Sequence, residues 1–394
     1  MHSKDSIVHK PVYMDYHATT PVDERVMNLM LPYFNRKFGN AASGNHTFGW
    51  DAEGAVEVAR RKVAALAGVQ PRQVVFTSGA TESDNLALKG AIEAAGGKGH
   101  IVTVSTEHKA VLDSARRLEQ SGCPLTILNP RADGLVDLDE LRAALRPGTV
   151  IVSVMYANNE IGVIQPMAEI GAICRANRVL LHSDAVQAFG KIAMRMEQDG
   201  IDLMSVTAHK MYGPKGTGAL IVGPRARIEA QMDGGGHENG MRSGTLNVPG
   251  IVGFGEACAQ ANEVLQEEGA RLTGLRNRLL ARLQSELDGV HVNGSLEHRL
   301  PGNLNVSFAG VEGDALLLAL PDLAVSAASA CGSHGPAGSH VLRAIGTPGE
   351  LEQSAIRFGL GRYTTREEIE YAADRVVEEV RKLRQNSAGL WPAQ

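Results

Sequence analysis

Between residues 55 and 260, short runs of β-branched and apolar residues alternate with stretches of helical periodicity. Segments such as SDNLALKGAIEAA and KAVLDSARRLEQS repeat apolar positions at the spacing of one helix face. Strands that alternate with amphipathic helices predict a mostly parallel sheet between helices. The six runs that we predict to be strands are QVVFT (73–77), HIVTVS (100–105), TVIVSVMY (149–156), VLLHSD (179–184), DLMSVT (202–207) and GALIVG (218–223).

The pattern changes after residue 262. A long helical stretch, ANEVLQEEGARLTGLRNRLLARLQSEL, leads to the shorter segments NLNVSFAG, GDALLLAL and DLAVSAASAC. A charged amphipathic helix follows in TREEIEYAADRVVEEVRKLRQ. We therefore predict a large α/β domain over residues 17–262 and a smaller α/β domain formed by residues 1–16 and 263–394.

Composition narrows the class of protein. The 394 residues carry a net charge of −5 and are 43% hydrophobic, which is ordinary for a globular protein and does not favour a surface for nucleic acid or anionic lipid. No apolar run is long enough to span a membrane, and the first residues lack the apolar region of a signal peptide. The four cysteines form no C-x-x-C pair, so we expect a reducing, cytoplasmic setting.

The stretch FTSGATESDNLALKG (76–90) places a Ser-Gly-Ala-Thr turn between a strand and a helix. Unpaired backbone N–H groups and the positive end of the helix dipole suit a phosphate at such a turn. A capping box formed by Thr81 and Asp84 explains the same residues, and the two interpretations are compatible.

Three charged residues follow or interrupt apolar segments. Asp184 ends a predicted strand, where a carboxylate needs a cationic partner such as a pyridinium nitrogen, or serves as a helix N-cap. Lys210 precedes a glycine-rich turn; it can form a Schiff base in a dry pocket, whereas a solvated loop lysine is the ordinary alternative. Arg357 lies between apolar residues and requires an anion, either a substrate carboxylate or a structural Asp or Glu.

Polar residues also occur at two other predicted strand ends. Asn158 and Asn159 follow one strand, where their amides can meet a ligand, and His108 lies at a junction where it can stack, transfer protons or cap a helix. A phosphate turn, a strand-end Asp, a strand-end Lys and a late Arg are together the set that pyridoxal phosphate requires. They anchor the phosphate, keep the ring nitrogen protonated, carry the aldehyde and hold an amino-acid carboxylate.

With these residues, the chain resembles the cysteine desulfurases of the IscS/NifS type, in the class V aminotransferase branch of the fold-type I pyridoxal-phosphate enzymes. The resemblance implies that fold, with a large domain whose mostly parallel sheet lies between helices and a smaller α/β domain. The matching stretches run in family order: DYHATTPVD, FGNAAS, FTSGATESDNLA, TEHKAVL, ANNEIGVIQP, HSDAVQAFGK, HKMYGPKGTGAL, GGGHENGMRSGT, DLAVSAASAC and IRFGLGRYTTREEI.

The resemblance also implies roles for individual residues. Lys210 corresponds to the Schiff-base lysine, Cys331 to the cysteine that accepts sulfur, and His108 to the histidine over the cofactor ring. Asn158 and Arg357 are implied in substrate binding. The other implied cofactor contacts are Ala80, Thr81, Asn159, Asp184, Gln187, Thr207 and His209, with Thr245 supplied by the partner subunit of a homodimer.

The implied activity is the conversion of L-cysteine to L-alanine with pyridoxal phosphate. The sulfur is transferred to Cys331 as a persulfide and then to an acceptor protein. The acceptor stays open between an iron–sulfur scaffold and a protein of tRNA or DNA sulfur modification. We expect no direct contact with nucleic acid or a membrane.

Some features depart from the family or allow other interpretations. DYHATT carries His17 where Ser or Asn is common, and SAASACGS replaces the usual SSGSACTS. A selenocysteine lyase or an aminotransferase of the same fold is one alternative, but a thiol in a loop of small residues favours sulfur transfer. A zinc or iron module built from Cys331, His334 and His340 is another, although it lacks a clear fourth ligand. We expect no metal site.

Overall fold

The structure, a computed structural model, describes residues 8–327 and 338–390. Its central sheet has seven strands in the order β2-β8-β7-β6-β5-β3-β4, and only β8 runs antiparallel to its neighbours. The strands of this sheet are β2 (Val74–Thr77), β3 (His100–Val104), β4 (Leu125–Leu128), β5 (Thr149–Ser153), β6 (Leu180–Asp184), β7 (Leu203–Thr207) and β8 (Gly218–Val222).

The remaining strands of the described residues form two smaller sheets. A four-stranded antiparallel sheet has the order β12-β13-β10-β9, and β1 pairs in parallel with β11. Their bounds are β1 (Val12–Tyr13), β9 (Val290–Val292), β10 (Asn303–Phe308), β11 (Leu323–Ala324), β12 (Ser326–Ala327) and β13 (Ala355–Gly359).

Helices cover both faces of the central sheet and one side of the four-stranded sheet. The α-helices are α1 (Glu24–Met30), α2 (Pro32–Asn35), α3 (Thr47–Ala67), α4 (Ala80–Ala94), α5 (Lys109–Gln120), α6 (Leu138–Ala144), α7 (Met167–Ala176), α8 (Val248–Glu286), α9 (Gly313–Ala319), α10 (His340–Ala344), α11 (Gly349–Gln353) and α12 (Arg366–Leu390). Short 3₁₀ turns occur at Pro71–Gln73, Ala208–Lys210 and Glu238–Gly240. Within these described ranges, no helix is both long and apolar enough to cross a membrane.

The six predicted strands are confirmed as β2, β3 and β5–β8, whereas β4 was not predicted. β4 is an edge strand that pairs only with β3, and its LTIL residues are partly exposed except for Leu128. Its flanking residues lack the continuous apolar run of the inner strands, which are buried on both faces, so the pattern gave little signal.

Two hydrophobic clusters lie along α8. Phe254 and Cys258, near its beginning, pack with α3 and the central sheet, whereas Leu279 and Leu283, near its end, pack with β10, β13 and α12. The helix is continuous through residue 262, so the predicted domain boundary there lies inside a helix and stays a prediction.

A glycine allows α3 and α8 to approach each other. A Cβ atom at Gly255 would lie 2.6 Å from Ala59 Cα, closer than carbon atoms can pack. Because glycine has no Cβ, the backbones of the two helices come into direct contact. This contact fixes α8 against the sheet that carries the candidate site.

Candidate active site

A cleft of about 840 Å³ opens at the carboxyl ends of β6 and β7, where ligands gather in parallel sheets. Thr207 ends β7 and is followed directly by the short turn Ala208–Lys210, while Asp184 ends β6 beside it. The cleft contains most of the residues that the sequence singled out. These are Ala80, Thr81, His108, Asn159, Asp184, Gln187, Thr207, His209, Lys210 and Arg357.

The first turn of α4 forms one wall of the cleft. Its N-cap is Gly79, which has no side chain to bond the first N–H groups of the helix, and Thr81 lies inside the first turn. The alternative of a Thr81–Asp84 capping box is therefore wrong, because Asp84 is fully buried at 3.6 Å from His182 Nε2. The unbonded N–H groups and the dipole of this 15-residue helix can receive a phosphate.

Asp184 lies at the floor of the cleft. Its side chain accepts a hydrogen bond from the Val186 N–H at 3.0 Å and is almost completely buried. Burial raises the pKa of this carboxyl, and the nearby His108 and Lys210 oppose the rise. A cationic ring nitrogen beside it would stabilise the ionised form, because an opposite charge at short range favours a carboxylate.

Lys210 extends from the turn toward the N-terminal segment of the chain. Its Nζ donates hydrogen bonds to the backbone oxygens of His17 at 2.6 Å and Ala18 at 2.7 Å. The neighbouring His209 contacts the Thr19 hydroxyl through Nδ1 at 3.2 Å. Burial and the adjacent lysines lower the pKa of His209 to about 4, so its ring is neutral near pH 7.

His108 caps α5, which fixes its tautomer. Its Nδ1 accepts a hydrogen bond from the Ala110 N–H at 3.1 Å, so in the neutral ring the proton is on Nε2. One side-chain nitrogen or oxygen atom from each of Asp84, His108 and Asp184 lies within 4.8 Å of the others. His108 is therefore placed to exchange a proton within the cleft.

Arg357, in the middle of β13, forms the opposite wall. Its guanidinium donates to the Asn159 backbone oxygen at 2.8 Å, to Asp15 Oδ1 at 2.6 Å and to the Ser326 hydroxyl at 3.0 Å. Its Nε is buried and has no partner among the described residues. The structural carboxylate that the sequence left open is thus Asp15, and an unsatisfied donor remains beside it.

Three of the implied residues do not meet in this cleft. The Asn158 amide bonds the Thr106 oxygen and the N–H groups of Glu160 and Ile161, so it shapes the loop and does not line the cleft. Thr245 is exposed and lies outside the cleft of its own chain. Cys331 lies outside the described residues, and so does His334 of the alternative metal trio, whose third member, His340, contacts the Glu107 oxygen.

Comparisons with known proteins identify the family. Residues 12–372 match the Aminotransferase class-V family. The chain is 58% identical over 380 residues to the cysteine desulfurase IscS of Anaeromyxobacter dehalogenans (strain 2CP-C), covering 96% of this chain and 94% of the relative. The IscS of Methylococcus capsulatus is 56% identical over 384 residues, covering 97% and 95%. The chain belongs to the aminotransferase class-V family.

A solved structure of a NifS-like protein superposes with a TM-score of 0.89 at 38% identity, covering 95% of this chain and all of that one. The resemblance to the IscS/NifS type and the fold-type I architecture are therefore confirmed. Like other members of this class-V family, the chain uses pyridoxal phosphate as its cofactor.

The residues present in the cleft fit this cofactor. The N-terminus of α4 with Thr81 and His209 suits the phosphate, Asp184 suits the ring nitrogen, and Lys210 suits the aldehyde. A Cβ atom at Gly218 would lie 2.7 Å from Gly79 Cα, so a glycine in β8 lets the phosphate turn close against the sheet.

Sequence reasoning assigned no role to three polar residues around the site, of which His17 and Glu107 are buried and Asp15 is partly exposed. Asp15 pairs with Arg357, His17 bonds Gln187, and Glu107 lies fully buried with Oε1 accepting from the Met155 N–H at 2.5 Å. All three belong to matched stretches, Asp15 and His17 to DYHATT and Glu107 to TEHKAVL, and this membership is the signal that the sequence carried for them. Their partners are far away along the chain, so spacing alone does not reveal the contacts.

Proposed function

We propose that Lys210, His108, Arg357 and Cys331 carry out the cysteine desulfurase reaction of this chain. The activity itself, release of sulfur from L-cysteine with formation of L-alanine, is confirmed by relatives that share more than half of its residues over almost the full length. The observation that carries the assignment of residues is one cleft that holds Lys210, Asp184 and the N-terminus of α4, with His108 and Arg357 on its walls.

Arg357 orients the substrate. The buried guanidinium has an unsatisfied Nε and already holds the Asn159 backbone, so a carboxylate that enters beside Asp15 gains a charge-assisted hydrogen bond. Asp15 also limits the positive charge of this wall, because it neutralises the arginine at 2.6 Å. The site therefore favours a zwitterionic amino acid over a simple anion.

Lys210 moves the proton at the substrate Cα. When bound, pyridoxal phosphate supplies an aldehyde for the amine of the substrate and a ring that accepts the electron pair released at Cα. The backbone oxygens of His17 and Ala18 hold Lys210 Nζ in the cleft, where it can take this proton as a general base. His108 Nε2 donates or accepts the proton of the substrate thiol.

Cys331 accepts the sulfur. Its thiolate forms a bond to the substrate Sγ while the Sγ–Cβ bond breaks and leaves its electron pair on the substrate carbon, which gives a Cys331 persulfide. A proton is added to Cβ, and Lys210 returns a proton to Cα, which completes L-alanine. Cys331 is four residues from Ala327, a distance of at most about 14 Å of extended chain. Ser326 and Gly338, on either side of residues 328–337, both line the cleft, which supports delivery of this thiol to the substrate.

The test is a single-turnover reaction with L-cysteine in which alanine and the mass of the Cys331 peptide are measured together. We expect equal amounts of alanine and persulfide in the natural sequence. Cys331→Ser should give no persulfide and pass no sulfur to an acceptor, and Lys210→Ala should lose the visible band of the lysine-bound cofactor. Sulfur delivery by Cys331→Ser at the natural rate would disprove the role of Cys331.

We place this enzyme in a homodimer. Thr245 is exposed, and the segment Met27–Trp50 exposes several large apolar side chains that a second copy can cover. These side chains are Met27, Leu29, Leu31, Phe34, Phe38, Phe48 and Trp50. The partner subunit then supplies Thr245 to the phosphate.

The acceptor is an iron–sulfur scaffold or a protein of tRNA or DNA sulfur modification, and the chain itself makes no contact with nucleic acid. A cytoplasmic, reducing compartment suits the three buried free thiols and protects Cys331 from oxidation to a disulfide. Labelled sulfur from L-cysteine, followed by isolation of the proteins that carry it, identifies the acceptor.

A further inference from the structure

The buried His17 forms a reciprocal pair with Gln187. The ring Nδ1 of His17 lies 3.0 Å from Gln187 Oε1, and Gln187 Nε2 donates to the His17 backbone oxygen at 2.9 Å. The same His17 oxygen accepts a hydrogen bond from Lys210 Nζ. One residue of the N-terminal segment is thus bonded to two residues of the cleft.

A third residue fixes the direction of these bonds. Lys191 Nζ donates to Gln187 Oε1 at 3.0 Å, which makes this atom the carbonyl oxygen of the amide. His17 Nδ1 must therefore carry the proton and donate to the same oxygen. Gln187 Nε2 uses one proton on the His17 backbone and retains a second one, and Gln187 lines the cleft beside Asp184.

The His17 ring is neutral in this position. It is only 2% exposed, and burial, together with the positive charges of Lys191, Arg357 and Lys210, lowers its pKa well below the usual value. A neutral ring has one N–H, and Gln187 receives it. His17 Nε2 is then an acceptor and has no partner within the described part of the chain.

We propose that His17 and Lys191 hold the Gln187 amide with its nitrogen toward the cofactor, so that Gln187 donates to the phenolic oxygen of the ring. This inference rests on the proposed function and on the cofactor contact that the family resemblance implies for Gln187, and it assigns His17 and Lys191 as positioning residues for that side chain. Both hydrogen bonds to Oε1 would be lost if the amide rotated by half a turn, and its oxygen would then face an anionic oxygen. The orientation of the Gln187 side chain is thus set by its hydrogen bonds to His17 and Lys191.

The proposal predicts that substitutions at His17 and Lys191 change the pH titration of the visible band of the lysine-bound cofactor. A donor to the phenolic oxygen withdraws negative charge from it and lowers the proton affinity of the lysine-bound cofactor. His17→Leu, which has a similar volume but no donor, should raise the midpoint of the pH titration of the visible band by about half a unit, a threefold change in the proton equilibrium. It should also weaken binding of pyridoxal phosphate to the apo chain about tenfold.

The matched variants separate positioning from folding. His17→Gln restores an N–H donor and should return the titration toward that of the natural sequence. Lys191→Met, which acts on the same amide from the other side, should shift it in the same direction as His17→Leu. Gln187→Leu should shift it as well, and the double variant His17→Leu/Gln187→Leu should shift it no further, because both changes remove the same bond.

Two results would overturn the inference. The first is a titration midpoint of the visible band that equals that of the natural sequence in both His17→Leu and Lys191→Met. The second is a shift in His17→Leu/Gln187→Leu that equals the sum of the shifts in the two single variants. Failure of the proposed function looks different, since the natural sequence would then bind no pyridoxal phosphate and show no visible band. Thermal melts of each apo variant identify any that fail to fold, and in that case Lys191→Met and His17→Gln carry the test.

Discussion

At the scale of single residues, Arg357, which we propose to bind the substrate carboxylate, also makes structural contacts. Its two terminal nitrogens hold Asp15, Ser326 and the Asn159 backbone, and its Nε is left for a further acceptor. Lysine keeps the charge but lacks the planar fork that makes these bonds at once.

We expect Arg357→Lys to lower kcat/KM for L-cysteine by about 10- to 100-fold, the value of one or two hydrogen bonds to a charged group. The loss should fall mainly on KM, because the contact is made to the substrate carboxylate before any bond breaks. Steady-state kinetics on protein with a normal visible band measure it. An unchanged KM would show that Asp15, rather than the substrate, is the main partner of this arginine.

A second residue-scale prediction concerns Glu107, which is fully buried and has an unpartnered Oε2 among the described residues. Burial raises the pKa of this carboxyl well above its usual value, and Asp184 and Asp84 add to the rise. Above the unfolded pKa, the unfolded chain ionises at this residue while the folded chain keeps the proton. Stability is therefore lost as pH rises, at about 1.4 kcal/mol per pH unit, until the folded pKa is reached.

Glu107→Gln removes this dependence while retaining the acceptor for the Met155 N–H. The stability of the variant relative to the natural sequence should therefore increase from pH 5 to pH 7. Urea unfolding of the apo protein at the two pH values measures the difference, and the exposed Glu197→Gln controls for the loss of one carboxylate. A constant difference between the proteins would mean that Glu107 is ionised when folded.

The sequence located the residues of the cleft that follow strands, such as Asp184 and Lys210, because parallel strands present their carboxyl ends together. It could not locate partners such as Asp15 for Arg357, or Lys191 and His17 for Gln187. The Asp15–Arg357 and His17–Gln187 contacts join residues 342 and 170 positions apart, and the Lys191–Gln187 contact, only 4 positions apart, depends on side-chain direction. Asn158, which the resemblance implies in substrate binding, bonds the N–H groups of its own loop in the structure, so its substrate role stays a prediction.

At the scale of elements, one buried ion pair holds the loop before Thr245. Arg60 of α3 makes two hydrogen bonds to the Glu238 carboxylate, at 2.7 and 2.8 Å, and Glu238 also accepts from the Phe76 N–H of β2. Glu238 has a φ of 51°, a conformation that is unfavourable for a residue other than glycine. The ion pair thus compensates for backbone strain and ties three elements together.

We expect Arg60→Met to destabilise the protein by about 3–5 kcal/mol, because Glu238 stays buried without its cation. Thermal or urea unfolding measures the loss. The adjacent Arg61→Met, in the same helix but exposed, is the matched control and should change stability little. If the two substitutions changed stability equally, the Arg60–Glu238 ion pair would make no contribution of its own to the free energy of unfolding.

Element boundaries were harder to predict than their existence. The sequence predicted a helix after Ser78–Thr81, but the choice between Gly79 and Thr81 as N-cap depends on where the strand turns. The sequence also predicted the second half of α8 but not the start of the helix at Val248. The first half of α8 packs against α3 through small residues such as Gly255 and lacks a polar face, so it shows no amphipathic pattern.

At the scale of the whole molecule, the homodimer that we propose would make each site depend on two chains. Lys210→Ala and Thr245→Ala should each weaken the reaction when all subunits carry the change. In a mixed dimer of the two variants, the site with an intact Lys210 receives an intact Thr245 from its partner. We therefore expect cofactor binding and activity to return at one site per dimer.

Coexpression with two different tags and isolation of the doubly tagged species provide the measurement. If Thr245 served the cleft of its own chain, neither site of the mixed dimer would be complete and activity would not return. The large-scale architecture followed from strand–helix alternation and the matched stretches, but nothing in the pattern of a single chain reveals which residues a partner contributes.

The 39 residues of α8 have one more consequence. The helix is about 59 Å long at 1.5 Å per residue, and it contacts both the turn of Lys210 and the small sheet whose β13 carries Arg357. Because the helix is so long, a tilt of about one degree at one end displaces the other end by about 1 Å. Substitutions along α8 can therefore change the distance between Lys210 and Arg357, which we propose to contact opposite ends of the substrate, although no residue of this helix lines the cleft.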